Sequence, residues 1–354
     1  MQRLIILGRM NLRRQIALIA CCLCLSIATG ASWAKEFVVY QHDKGAGNGK
    51  HVVLLTGDEE YRSEEGLVQL AKILAFRHGF RATVLFALDP KDGSINPNVN
   101  NSLPGVEVLD SADMMVLGLR FRHYPDDTMR SFVAAYLSGK PMVAVRTSTH
   151  AFNYPAESQS KYARYSFRSK EWPDGFGRQV LGETWAGHLG TNHQEATRGI
   201  PFAGAKDHLL LRGVGEVFAT SGAYKANPLP DSTILMHGQV LAGMTPNSPP
   251  NTEGKNEPLQ PIAWSRNHKN ETGNTNRILC TTMGAATDLL DENFRRLLVN
   301  GVYWGLEMDV PQQADVRLIG SYQPSDYSFN GFRKNVRPSE LAMSSEEALA
   351  DESN

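Results

Sequence analysis

The sequence predicts an α/β fold with a mostly parallel central sheet flanked by helices. Apolar runs of strand length recur at HVVLL (51–55), ATVLFAL (82–88), MMVLGL (114–119) and PMVAV (141–145). Stretches with helical spacing lie between them. The runs are continuously apolar rather than alternating, which is the pattern of parallel strands covered on both faces.

The N-terminus stands apart. Arg9, Arg13 and Arg14 precede IALIACCLCLSIATGA, and SWAK follows. This is a basic n-region, an apolar h-region and a small-x-small cleavage site after Ala34. The apolar run falls short of the ~20 residues of a membrane span. A signal peptide over 1–34 is therefore expected, with a periplasmic or secreted product and no stable membrane insertion. Leu18-Ile19-Ala20-Cys21 also fits a lipobox, but its h-region is truncated, so cleavage is preferred over lipidation at Cys21.

The segment 35–322 reads as one domain. After the first strand comes TGDEEYR. Ser63 is placed to cap a helix with Glu64 and Glu65 in its first turn, favourable at the positive dipole end. Leu67, Leu70 and Leu74 follow at helical spacing, and Gly79 stops the helix. Asp126–Leu137 is a second helix, closed by Gly139. The middle, 153–260, is rich in Gly, Pro and Asn. It is expected as an irregular insertion over the strand C-terminal edge, with strands near STILMHGQVLAGM. PIAWSRN (261–267) and NRILCTTMG (276–284) read as two strands. Asp291 caps the helix ENFRRLLVNGVYWGLEM. From 323 to 354 the chain is Pro-, Ser- and Glu-rich, and a disordered tail is expected.

Composition bounds the function. The 354 residues carry a formal charge of -1, with 42% hydrophobic and 21% charged residues. No basic stripe with interleaved aromatics is present, so nucleic acid is excluded as a partner. Cys21, Cys22 and Cys24 lie in the signal, which leaves Cys280 alone in the mature chain. An intramolecular disulfide and a cysteine zinc site are thereby excluded, and Cys280 in RILCTTMG is expected as a buried core thiol.

Three strand ends are polar. The first runs into Asp58-Glu59-Glu60-Tyr61, the third into Arg120-Phe121-Arg122-His123, and the fourth into Arg146-Thr147-Ser148-Thr149-His150. Open α/β sheets bind ligands beyond the carboxyl ends of their strands, so a site is expected where these ends converge. Loop polarity alone is the plainer reading of any one of them.

The order of motifs resembles the ThuA-like (trehalose utilisation) family, of the class I glutamine amidotransferase-like fold, related to the flavodoxin-like arrangement. The resemblance rests on TGDEEYR, RHGF, SADMMVLGLRFRHYP, GKPMVAVRTSTHAF, GETWAGH, DHLLLRGV, PIAWSRN with NRILCTTMGAATD, and NFRRLLVNGVYWGL. It covers about 50–310. It implies a bacterial protein of carbohydrate metabolism whose ligand is a small carbohydrate, disaccharide derivative or keto-sugar. Amidotransferases of this fold carry a nucleophilic Cys on the turn after the strand matching PMVAV. Here that turn reads RTSTH, which argues against glutaminase chemistry. Ser148 as a substitute nucleophile lacks a neighbouring base. Many relatives have Gly-His where this chain has Gly284-Ala285.

Acid/base work on a keto-sugar needs a proton acceptor and a cation for the enolate oxygen. His150, His188, Arg146 and Glu183 are the candidate catalytic residues. Asp58, Glu59, Arg120, Thr147, Trp185 and His193 are the candidate substrate-binding residues. Plainer readings stand beside these. His150 could be a satisfied core histidine, and Arg146 could pair with Asp58 or Glu183. No cofactor is expected. Zinc on His188, His193 and Asp207 or His208 is the weaker alternative, since that spacing matches no strong motif. A non-catalytic sugar- or protein-binding module and a periplasmic metal-binding protein are the alternative functions. Self-association is left open.

Overall fold

The structure is a computed structural model that describes residues 36–350. The expected signal peptide, the Cys21 alternative and the last four residues lie outside the described residues. No helix among the described residues is long and apolar enough to cross a membrane.

Ten strands form one sheet among the described residues. In chain order they are β1 (Phe37–Tyr40), β2 (His51–Gly57), β3 (Arg81–Leu85), β4 (Met114–Leu119), β5 (Met142–Val145), β6 (Thr197–Pro201), β7 (Val217–Ala219), β8 (Thr233–Val240), β9 (Gln260–Lys269) and β10 (Thr275–Thr281). Their spatial order is β1-β3-β2-β4-β5-β10-β9-β8-β6-β7. The block β3-β2-β4-β5-β10 is parallel, as the continuous apolar runs predict. The remainder is antiparallel. The insertion is thus more regular than its composition suggests: β6, β7 and β8 extend the sheet beyond β9.

Helices cover both faces. Val52 and Leu54 of β2 face one core with α1 (Ser63–His78) and α3 (Glu292–Gly305), while Val53 and Leu55 face a second core with α2 (Asp126–Leu137). The period-2 alternation of a strand divides one apolar run between two cores. Gly79 ends α1 at φ 72, its N–H bonded to Ala75 O, and Asp291 Oδ1 caps α3 by accepting from Phe294 N at 2.9 Å. The expected Ser63 cap does not form. Ser63 is already inside the helix, and its hydroxyl accepts instead from Gly57 N at 3.1 Å. Cys280 is fully buried in β10, and burial pushes its thiol well above the usual range.

The segment after 323 differs from the disordered tail its composition suggests. It packs against the domain through a short final helix, α4 (Ser345–Ala350). Tyr327, Phe332 and Ala348 are buried, Leu341 O accepts from Tyr40 Oη at 2.6 Å, and Val336 O accepts from Ile95 N at 2.8 Å. Spaced apolar anchors hold the segment, and averaging over a polar stretch hides them. A chain ending at residue 322 is expected to lose about 3 kcal/mol or more, from two large buried side chains. Urea unfolding measures this, and an unchanged midpoint would restore the tail reading.

Candidate functional site

The strand order reverses at β2, because β3 lies on one side of it and β4 on the other. Ligand crevices of open α/β sheets form at such a switch. Here the crevice is crossed by ion pairs. Glu59 binds Arg120 and, at 2.6 Å, Arg122, while Glu60 lies 3.4 Å from Arg120. The loop after β4 is zipped to the turn after β5, with Phe121 N donating to His150 O at 3.0 Å and Arg122 N to Ala151 O at 2.6 Å. Asp58 joins the same group. Its Oδ2 accepts from Thr147 Oγ1 at 2.5 Å, and its Oδ1 accepts from Glu60 N and Tyr61 N.

Non-glycine residues in the left-handed region gather at this edge. Arg62 (φ 58), Phe121 (φ 49) and Arg146 (φ 47) follow β2, β4 and β5. Each such residue costs roughly 1–3 kcal/mol unless its surroundings over-determine it. Arg146 begins the tight turn Arg146–His150, and it is 1% exposed. Its guanidinium lies between the rings of Tyr61 and Tyr224, at 4.3 and 4.0 Å from their centroids. Nη1 donates to Gly222 O and Thr282 O, and Nη2 donates to Tyr61 Oη at 3.0 Å. No ion pair to Asp58 or Glu183 is present among the described residues. Two ring faces and three oxygens compensate the charge. The guanidinium is committed to the protein, so it positions the edge. Both Nη atoms are engaged, which weighs against the expected oxyanion role, while the buried Nε has no partner among the described residues.

Close backbone approach makes the turn possible. Gly284 has φ +142, and a Cβ there would sit 2.7 Å from Val145 Cβ. Buried Asp288 holds that loop by accepting from Gly284 N, Ala285 N and Ser221 Oγ. Ala285 packs with Tyr61 and Tyr327 in a small apolar cluster.

His150 lies beneath this edge, 2% exposed. Its ring contacts Phe121 (4.9 Å), Trp185 (5.3 Å), Tyr224 (6.1 Å) and Phe167 (6.2 Å). Nδ1 is 3.2 Å from Thr149 Oγ1, and Nε2 has no hydrogen-bond partner among the described residues. Burial, reinforced by Arg120 and Arg146, holds the imidazole well below its usual pKa. His188 packs edge-on against Tyr224 at 5.0 Å. Partial burial, with Arg146 and Arg120, draws its pKa down to about 4, although it keeps a solvent-facing side. Glu60 moves the other way, raised by burial against the opposing pull of Arg120.

The other candidates are distributed unevenly. Trp185 walls His150, and its indole N–H has no partner among the described residues. His193 is exposed and stacks on Tyr327 at 4.3 Å. Glu183 stands apart: its carboxylate accepts from Arg178 and from the backbone N–H groups of Thr184 and Asn227. That carboxylate is satisfied structurally, which corrects its placement among the catalytic groups. Ser148 Oγ donates to Leu117 O and accepts from Leu119 N, so it is not a free nucleophile. His208 contacts Trp304 and Leu210 N, away from His193. Among the described residues no group of three or more His, Cys, Asp or Glu gathers to hold a metal. Sequence reasoning missed Glu60, Tyr61, Tyr224, Asn192 and Tyr327. Glu60 and Tyr61 were legible as parts of a polar strand end. Tyr224 and Tyr327 carried no motif signal.

The strand order β3-β2-β4-β5-β10 and the edge cluster define an α/β protein with a flavodoxin-like parallel block, with no thiol on the turn after β5. Two solved structures that it resembles bear the family name the motifs suggest. One is a ThuA-like protein of Parabacteroides merdae ATCC 43184, with TM-score 0.47, 14% identity, and coverage of 79% of this chain and 97% of that one. The other is a ThuA-like protein of Bacteroides uniformis ATCC 8492, with TM-score 0.46, 13% identity, and coverage of 75% and 94%. An exo-β-1,4-mannosidase of Opitutaceae bacterium strain TAV5 aligns with TM-score 0.33 and 9% identity over 73% of this chain and 36% of its own. No family model and no curated protein matches the chain.

Gly284→Ala is expected to cost about 2 kcal/mol or more, through backbone strain and the clash with Val145. A chemical-denaturation midpoint within error of wild type would contradict this close approach. The imidazoles set a pH dependence. The unfolded chain protonates His150 near its usual value of 6.5, whereas the folded chain resists. The unfolded state therefore binds more protons below about 6.5, and stability falls as pH falls from there. The stability advantage of wild type over His150→Asn should shrink by up to about 1.4 kcal/mol per pH unit in that window. Urea unfolding at a series of pH values reads it, and a pH-independent difference would mean that His150 titrates normally.

Proposed function

We propose that this chain is an exported ThuA-like protein of carbohydrate metabolism, whose carboxyl-edge site takes a small sugar or keto-sugar and moves a proton on it. The observation that carries this reading is His150, a neutral imidazole with one unpartnered ring nitrogen, walled by Trp185, Phe121 and Tyr224 beside the Glu60–Arg120 rim. Aromatic faces suit a sugar ring, and carboxylates and guanidinium suit its hydroxyls. A neutral imidazole can accept the proton α to a ketone. Arg120, half-buried rather than enclosed, is better placed than Arg146 to meet the developing enolate oxygen. Glu60, its pKa raised by burial, is suited to return a proton. Glutaminase chemistry has no place in this reading, because the turn after β5 offers no thiol and Cys280 is enclosed in β10.

One observation favours a second reading, sugar binding without turnover. Ser148 Oγ and both Nη atoms of Arg146 are engaged by protein partners, so the turn after β5 offers no free nucleophile. A screen of keto-sugars and disaccharides for product formation separates the two. His150→Ala and Arg120→Ala should stay folded and lose at least about tenfold in turnover, which is ~1.4 kcal/mol. Fully active variants would sink the site assignment. Ligand binding without product, weakened by both substitutions, would select the binding module.

A further inference from the structure

A second cavity, of about 280 Å³, lies between α1 and the segment that follows residue 320. One face of α1 lines it, with Glu64, Gln69 and Lys72, and Tyr322 and Arg333 close it from the C-terminal segment. None of its lining residues belongs to the carboxyl-edge site.

Two of its buried side chains carry unsatisfied polar atoms, whereas Glu65 accepts from Ser325 N and pairs with Arg333, and Tyr322 Oη donates to Ala286 O. Glu64 is 8% exposed, and neither carboxylate oxygen has a hydrogen-bond partner among the described residues, although Arg62 Nη1 forms an ion pair with it at 3.5 Å. Gln69 is 2% exposed, and its Nε2 is likewise unpartnered. A buried polar atom without a partner costs about 1–3 kcal/mol, so each such group in a native fold calls for an explanation. Both groups line the cavity.

The pair defines what is missing. Glu64 wants donors and Gln69 Nε2 wants an acceptor. A hydroxyl supplies both roles, and adjacent hydroxyls on one ring supply them at two points. An ammonium only donates, so it would leave Gln69 Nε2 without an acceptor, whatever the balance of Glu64, Glu65 and Glu340 against Lys72 and Arg333. An anion would meet Glu64. The Tyr322 ring in the wall offers an apolar face to a saturated ring. The volume falls just below the ~300–1,000 Å³ of drug-sized pockets, which suits a single ring. Burial lifts Glu64 to a pKa of about 7, so bound donors would also draw it towards the carboxylate.

We propose that this cavity is a second ligand site, specific for a neutral polyhydroxylated molecule of one-ring size. Thermal unfolding and titration calorimetry of the full chain test it, with D-glucose, myo-inositol and ethanolamine as probes. The expected result is a saturable rise in Tm with D-glucose or myo-inositol and none with ethanolamine. That response should persist in His150→Ala, which separates it from ligand binding at the carboxyl edge. Glu64→Leu and Gln69→Leu should each weaken the polyol by at least tenfold. Should either fail to fold, Glu64→Gln, which keeps the shape, should weaken it at least threefold. The proposal is overturned by no saturable response to either polyol, by a response to ethanolamine instead, or by affinity unchanged in the Glu64 and Gln69 variants.

Discussion

The carboxyl edge depends on one buried cation. Arg146 cannot lose its charge at any ordinary pH, and it has no carboxylate partner among the described residues. Stacking on two desolvated rings contributes roughly 2 kcal/mol per ring, and the three carbonyl and hydroxyl acceptors engage both Nη atoms. Those contacts reach Tyr61 beyond β2, Thr282 beyond β10, and Gly222 and Tyr224 of the insertion. One side chain thus ties together separate loops that the sheet alone would bring near each other without fixing their positions. The left-handed backbone at Arg146 is tolerable because the same contacts leave the side chain only one place to go.

Strain at Arg146 and close approach at Gly284 belong to one arrangement. The φ of +142 at Gly284 lets the loop after β10 lie against Val145 and the Arg146 amide, and Asp288 then collects the amides of that loop. Tyr327 completes the enclosure from the far end of the chain, stacking on His193 and donating from its hydroxyl to Thr220 O. Its ring and that of Tyr61 surround the methyl group of Ala285. Ala285 is therefore enclosed by apolar contact on this side of the edge.

The parallel block was legible because its strands are covered on both faces, so their apolar runs are unbroken and their ends abrupt. Polar strand ends marked the edge, and Asp58, Thr147, Arg120 and His150 do meet there. Of the antiparallel strands, β8 and β9 were legible as strands, but β1, β6 and β7 were not, since they run for only three to five residues. Glu183 was misread because a carboxylate in a polar cluster looks the same whether it faces a ligand or two backbone amides. Tyr224 and Tyr327 act through stacking across long sequence separations, and spacing cannot reveal that.

Placing His150 beside a permanent cation has a chemical consequence. Arg146 and Arg120 disfavour a second positive charge, so the imidazole stays neutral at the pH where a free histidine would begin to titrate. A neutral imidazole can accept a proton, but one held so low is a weak base. Such a base works only where the developing anion is itself stabilised, and the nearby guanidinium of Arg120 answers that need. Glu60, 3.4 Å from Arg120, is itself raised by burial. On the proposed reading, the same cations that weaken the base would lower the energy of the charge its reaction creates, which favours substrates that can become anionic, such as a ketone with an α-proton.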